Sequence, residues 1–324
     1  MGIFSSKKNK PLVIPTIDSK IALGQDYEYL VFSGGGIKGV SYCGALDVLN
    51  KLHILGPNIK GYAGTSAGSI VAGLLAVGYS SEELGKIMID MDMDKIFDDK
   101  IGVIRDTINL VKTYGVAPGN YIYDLLGELI KAKTGSADYT IAQLYLDHKI
   151  KLVIVGTDMN ISKSRYFSPD ALDEDDQTIS IRKAIRISMS IPFMFEPVLH
   201  QGHLHVDGGV LDNFPLFVFD QEQPNKPDSK VLGLRILTES HENKLTNPET
   251  CPEKLDSILD YSLSFIKTFM IENDRKTITD EYNSRTITII TPDYPVTQFS
   301  ISIEDKNTLI EAGAKYAMEF FDKK

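Results

Sequence analysis

Three stretches of this chain hold residue types that can do chemistry together. The first is Gly64-Thr65-Ser66-Ala67-Gly68, the G-x-S-x-G spacing of a nucleophile elbow. A serine between a strand and a helix must turn sharply, and the small neighbours with Gly64 and Gly68 permit that turn. The turn lifts the Ser66 hydroxyl clear of the sheet, and the N-terminus of the following helix faces developing negative charge. Without chemistry, the same five residues are a loop-to-helix start capped by Ser66.

The second stretch, Gly34-Gly35-Gly36-Ile37-Lys38-Gly39, permits three readings. A dinucleotide fingerprint needs an acidic residue roughly 20 positions on, and Gly56 to Tyr62 contains none. A phosphate-gripping P-loop needs Lys-Ser/Thr after the last glycine, where Val40 stands instead. The third reading is an oxyanion hole, since consecutive glycines expose backbone N–H groups that converge on one oxygen. Lys38 adds positive potential there, or is a solvated surface charge.

The third stretch is Asp207-Gly208-Gly209, a carboxylate on a tight turn. Alone it is a turn signal. Its weight comes from chain order: glycine loop, serine, aspartate.

Metal sites are poorly supported. Asp90, Asp92 and Asp94 mimic the start of an EF-hand loop, but Lys95 replaces its glycine and Ile101 its glutamate. His200, His203 and His205 cluster before Asp207, with His203 and His205 on one face of a strand; a structural or surface role is expected for all three.

The elements that must position these residues follow from pattern. Tyr27 to Phe32 reads as a short apolar strand running into the glycine loop, followed by a helix from Val40 to about Leu52. A strand from Ile59 to Ala63 ends at the serine, and a second helix runs to about Val77. Ser81 to Leu146 reads as mostly helical, with breaks at Gly115–Gly119 and Thr134-Gly135. Lys151 to Gly156 is apolar enough for a central strand covered on both faces. An acidic loop at Asp173–Asp176 precedes a helix ending before Pro192. His203 to Val206 leads into Asp207, and Val231 to Leu237 is a further strand. Helices are expected at Ile258 to Ile278 and Asp305 to Phe321, with a strand from Thr286 to Ile290 between them. Strands alternating with helices imply an α/β fold with a mainly parallel sheet. Residues 1–25 read as a tail before a domain spanning 26–324.

Composition agrees with an ordinary globular chain: 324 residues, 43% hydrophobic, 24% charged. The net charge of −10 makes nucleic acid an unfavourable partner. Two cysteines, Cys43 and Cys251, cannot form a disulfide framework, so a reducing, cytoplasmic setting is expected, with Cys43 buried and inert. There is no signal-peptide stretch, and the most apolar run, Ile70 to Val77, is far shorter than a bilayer span.

The three motifs together resemble the patatin-like phospholipase family, over about Tyr27 to Asp220. Ser188-Met189-Ser190-Ile191-Pro192-Phe193 and the run Asp207 to Pro215 resemble further family stretches, and Val231–Arg235 with the C-terminal helix is similar to bacterial effector-type members. The resemblance implies a single three-layer α/β domain with a central, mainly parallel sheet flanked by helices. It implies a lipid acyl hydrolase acting on phospholipids or neutral glycerolipids at a membrane surface. Ser66 is then the nucleophile and Asp207 the base. Backbone N–H groups of Gly34, Gly35, Gly36, Ile37 and Lys38 form the oxyanion hole, and Gly39, Gly64, Gly68, Gly208 and Gly209 support the motifs. The dyad calls for no metal or cofactor. Some relatives stay silent until a cellular protein activates them.

Two other functions remain open. An α/β-hydrolase would need a histidine after the acid; only His241 qualifies, in a polar loop-like stretch. A non-catalytic lipid- or protein-binding module on the same fold is the second. At the N-terminus, Met1-Gly2-Ile3-Phe4-Ser5-Ser6 fits the myristoylation pattern on Gly2, and Lys7, Lys8 and Lys10 supply the basic cluster that a single acyl chain needs.

Overall fold

A computed structural model describes residues 27–91, 95, 112–220, 230–246, 258–276, 279–294 and 301–323. The expected tail with Gly2, the acidic residues Asp92 and Asp94, and Cys251 lie outside the described residues.

Five parallel strands form the body of the sheet. In chain order they are β1 (Tyr29–Phe32), β2 (Gly61–Thr65), β4 (Lys151–Asp158), β9 (Val231–Thr238) and β10 (Thr286–Thr291). In space they run β10-β9-β1-β2-β4. Two strands join β4 antiparallel, β5 (Lys163–Phe167) and β8 (His203–Asp207), and β7 (Val198–His200) pairs with β8.

Period-two alternation sorts the side chains between two apolar layers. Leu30 and Phe32 of β1, Leu152 and Ile154 of β4, and Leu232 and Leu234 of β9 enter the larger core. That core is closed by α1 (Ser41–Lys51), α2 (Ala67–Ala76) and the long C-terminal helix α11 (Ile303–Asp322). Val31, Val153 and Val231 point the other way, onto Phe214, Leu216 and Phe219. Covered on both faces, β4 and β9 are buried almost throughout, which is why Lys151 to Gly156 reads as a continuous apolar run. α1 and α11 approach backbone to backbone: a Cβ on Gly44 would meet the Ile310 carbonyl oxygen, and one on Gly313 the Ser41 carbonyl oxygen.

The intervening region holds α3 (Ser81–Asp90), β3 (Gly115–Ala117), α4 (Asn120–Thr134) and α5 (Ile141–His148). Further on come α6 (Glu174–Gln177), α7 (Ile181–Ser188), β6 (Phe193–Phe195), α8 (Glu239–Thr246), α9 (Ile258–Lys276) and α10 (Asp280–Asn283). Capping boxes at Ser80 and Thr140 start α3 and α5.

Several expected boundaries move. The glycine loop passes through a 3-10 turn, Gly36–Val40, before α1 begins. β2 starts two residues later than expected and continues to Thr65. The break expected at Gly115 contains β3, which pairs with β6. The loop-like stretch around His241 is α8.

Candidate active site

Ser66 and Asp207 reach one place because two strands share β4. β2 runs parallel to β4, and its last residue, Thr65, pairs with Val155. β8 arrives antiparallel on the next residue, where Asp207 pairs with Gly156. The other edge of β4 is taken there by β5, through Tyr166 on Val155 and Arg165 on Gly156. β2 and β8 therefore meet end to end along one edge, and Ser66 follows directly from Thr65.

Ser66 leaves the strand at φ +52°, ψ −125°, a conformation that costs a residue with a Cβ about 1–3 kcal/mol. Its surroundings hold it there. The Ser66 N–H donates to Ser188 Oγ at 2.8 Å. Its carbonyl accepts from the Ser69 hydroxyl at 2.5 Å and the Ser69 N–H at 2.9 Å. A Cβ on Gly64 would lie 2.3 Å from the Gly68 carbonyl oxygen, and one on Gly68 would lie 2.5 Å from the carbonyl oxygens of Phe32 and Ser33. The G-x-S-x-G spacing is thus the condition for α2 to start in contact with the strands before it.

The Asp207 carboxyl is buried. Oδ1 accepts the Gly209 N–H at 2.7 Å. Among the described residues Oδ2 has no partner of full hydrogen-bond geometry, but the Ser66 hydroxyl lies against the carboxyl closely enough to favour its ionised form. Burial pushes the carboxyl up to about 7, against the opposing pull of the Ser66 hydroxyl and the Gly209 N–H. Its backbone is pinned as well. Thr157 Oγ1 donates to the Asp207 carbonyl at 2.9 Å, and the Asp207 N–H donates to the Ser190 carbonyl at 2.9 Å. A carboxyl that titrates near neutrality can accept and return a hydroxyl proton, which an ordinary aspartate with a pKa of about 3.9 does poorly.

The glycine loop is anchored from below. Tyr42 Oη donates to the Ser33 carbonyl at 2.7 Å, and Ser33 Oγ accepts the Ile236 N–H at 3.0 Å. Two of the five expected oxyanion donors are already engaged: the Gly34 N–H donates to the Asn213 carbonyl at 3.0 Å and the Lys38 N–H to the Gly35 carbonyl at 3.2 Å. The turn itself consumes the Lys38 donor, and the approach of the Asp212-Asn213 segment consumes that of Gly34. Among the described residues no such bond engages the N–H groups of Gly35, Gly36 or Ile37. Gly36 sits at φ +57°, a conformation natural to glycine.

The loop, Ser66 and Asp207 line one pocket. Ile191, Val210, Ile236, Ile266, Met270 and Ile271 form apolar walls. The room for water-sized molecules is ≈ 150 Å³, about ten times what a single water needs. Lys38, Lys267 and Asp293 line it as well. Burial and the neighbouring Lys267 draw the Lys38 ammonium down to about 8, with Asp293 pulling the other way.

His241 also lines this pocket. The expectation of a poorly held loop is corrected: α8 carries it, and its N–H donates to Thr238 Oγ1 at 3.1 Å. The three clustered histidines face carboxylates away from Ser66. His200 pairs with Asp176 at 3.0 Å and His203 with Asp158 at 2.7 Å, while His205 leans on the same Asp158 at 3.7 Å. Among the described residues no group of His, Cys, Asp and Glu is arranged to hold a metal. Cys43 is buried, with its thiol pushed up to about 12 by loss of water.

Sequence reasoning missed Ser188, Tyr42 and Asn213 as site-building residues. Ser188 and Asn213 stand inside stretches already singled out, but a hydroxyl or amide carries no signal of what it will touch. Asn213 lines the pocket with its Oδ1 buried and without a partner among the described residues, against Gly34.

The family model for patatin-like phospholipases matches residues 30–220. This chain belongs to the patatin-like phospholipase family. The match takes in the glycine loop, the serine elbow and the aspartate turn. A protein of Acanthamoeba polyphaga mimivirus is 31% identical over 287 residues, 88% of this chain and 91% of its own length. A protein of Invertebrate iridescent virus 6, named "Probable lipid hydrolase 463L", is 24% identical over 230 residues, 68% of this chain and 73% of its own length. Among solved structures, VipD from Legionella pneumophila matches with a TM-score of 0.59 at 19% identity, covering 99% of this chain and 72% of that one. That likeness supports the patatin fold. No helix among the described residues is long and apolar enough to cross a membrane.

Proposed function

We propose that this family member is a lipid acyl hydrolase of phospholipase A type, working through Ser66 and Asp207. The observation that carries the reading is the Ser66 hydroxyl set against a buried carboxyl raised to about 7. Asp207 takes the Ser66 proton as Oγ attacks the ester carbonyl. The oxyanion is held by the N–H groups of Gly35, Gly36 and Ile37, assisted by the N-terminus of α2. Asp207 returns the proton to the leaving alcohol, and an acyl-enzyme remains. A water then attacks the acyl carbonyl, gives its proton to Asp207, and the fatty acid leaves as Ser66 recovers a proton.

The apolar walls suit an acyl chain. Lys38 and Lys267 offer positive charge to the phosphate of a head group at the same pocket. The named lipid hydrolase among the relatives agrees with this substrate class. The protein would act at a membrane surface, with Gly2 lipidation as a second attachment and a cellular protein as activator.

The test is release of fatty acid from a panel of phospholipids and triglycerides, with and without cell extract, by the parent and by Ser66→Ala. Loss of all release in folded Ser66→Ala supports the reading; equal release refutes it. A second reading, a Ser66–Asp207–His241 triad, is favoured by the place of His241 in the pocket.

A further inference from the structure

Helix α9 presents two opposed faces. Ile266, Lys267, Met270 and Ile271 line the pocket. On the far side Tyr261, Phe265 and Phe269 are 62%, 56% and 48% exposed. At 3.6 residues per turn these three, spaced by four, fall within roughly 80° of one another, and their mean direction lies roughly opposite that of the pocket-lining four. Phe265 and Phe269 stack edge to face with centroids 4.9 Å apart.

The helix is held over the aspartate turn. Asn273 Nδ2 donates to the Val210 carbonyl at 3.1 Å, and a Cβ on Gly209 would meet Met270 Cε at 3.0 Å. Leu211, the next residue of that turn, is 37% exposed. The aromatic face thus lies one helix diameter, about 10 Å, from the pocket wall. Large aromatics in a row on a surface mark a partner.

The geometry points to the outer face of α9 as the segment that docks the protein onto a zwitterionic lipid surface, with Tyr261, Phe265 and Phe269 entering the head-group layer. This rests on the proposed lipid substrate, because the pocket behind the helix then draws from that surface. On interfacial helices phenylalanine supplies the apolar area that enters the lipid, and tyrosine keeps its polar tip at the water boundary. Ser264 and Thr268 accompany them on this face, and near its C-terminal end Glu272 and Arg275 pair with each other at 2.9 Å. An aromatic face with no basic cluster, on a chain of net charge −10, selects an uncharged or zwitterionic surface over an anionic one.

The chain contains no tryptophan, so Phe265→Trp introduces a single fluorescent reporter. In a Ser66→Ala background, made in bacteria without myristoylation, this tryptophan should be quenched by phosphatidylcholine vesicles with brominated acyl chains, with little dependence on salt. The paired change Phe265→Ser with Phe269→Ser should cut vesicle binding and vesicle hydrolysis by about tenfold or more. Turnover of a soluble chromogenic ester should stay at the parental level. An unquenched tryptophan, or parental vesicle binding by the paired variant, overturns the inference. So does light scattering that shows a dimeric parent and a monomeric paired variant, since the face would then be a subunit contact. If soluble ester and vesicles are both untouched by the parent, the hydrolase reading fails, while the quenching result still decides the docking.

Discussion

The backbone N–H of Ser66 donates to the side-chain oxygen of Ser188, the last residue of α7, 2.8 Å away. Both residues are buried. The bond fixes the left-handed backbone that aims the Ser66 side chain at the pocket. Ser188→Ala leaves that N–H without an acceptor, which costs about 1–3 kcal/mol. The melting temperature should fall, and turnover per folded molecule should fall with it as the hydroxyl loses its aim. Thermal unfolding paired with ester kinetics measures both; unchanged turnover would make Ser188 a purely structural partner.

Activity should rise with pH through about 7, where Asp207 gains the charge it needs as a base. Stability should move the other way. The folded carboxyl holds its proton up to about 7, whereas the unfolded one releases it near 3.8. Between those values the folded chain binds more protons, so stability is fully present below the window and is lost as pH rises through it. Asp212, raised to about 6 by burial, adds a contribution of the same sign. Asp207→Asn should abolish turnover and flatten part of the stability profile. Denaturant melts at several pH values, beside the pH–rate curve, check the pair of signs.

His241→Ala should leave soluble-ester turnover close to parental, because Asp207 can act on Ser66 without it. In a triad the same change would be as damaging as Ser66→Ala. Kinetics of the folded variant, with circular dichroism as the control, separate the two.

The glycines of the loop should fail in different ways. A Cβ on Gly34 would sit 2.3 Å from Asn213 Oδ1 and 3.2 Å from Ser66 Cβ, so Gly34→Ala should disturb the elbow itself and lower stability. Gly36 has nothing within 4 Å of a Cβ but stands at φ +57°. Gly36→Ala should therefore fold, yet turn its N–H away and cut turnover by about 10²–10³-fold. Full turnover in Gly36→Ala would remove its N–H from the oxyanion hole.

Sequence and structure agree best where backbone demands are strict. Gly64 and Gly68 are needed because any side chain would strike a carbonyl, and that demand shows as a spacing. β1, β4 and β9 are legible because both their faces are covered. β5 was not: Lys163-Ser164-Arg165-Tyr166-Phe167 is polar and half-buried at an antiparallel margin, and β3, β6 and β7 have three residues each, too few for a period. The stretch Glu239–Thr246 lacks an apolar run, and only the structure shows it as a helix that carries His241 to the pocket. That Gly34 spends its N–H on Asn213 is a tertiary fact with no local trace.

The seam on β4 has a consequence for how the protein comes into being. Thr65 and Asp207 dock on neighbouring residues of β4 but belong to distant parts of the chain. Synthesis delivers the N-terminal strands first, and a contact this distant in sequence closes late. A ribosome-bound chain that has released β1, β2 and the serine elbow carries the proposed nucleophile without its proposed base. On that reading it becomes competent only when β8 has been made and has docked on β4 beyond the end of β2. On the proposed dyad, a chain that stops before Asp207 would be inert toward lipid, however well its N-terminal strands had folded.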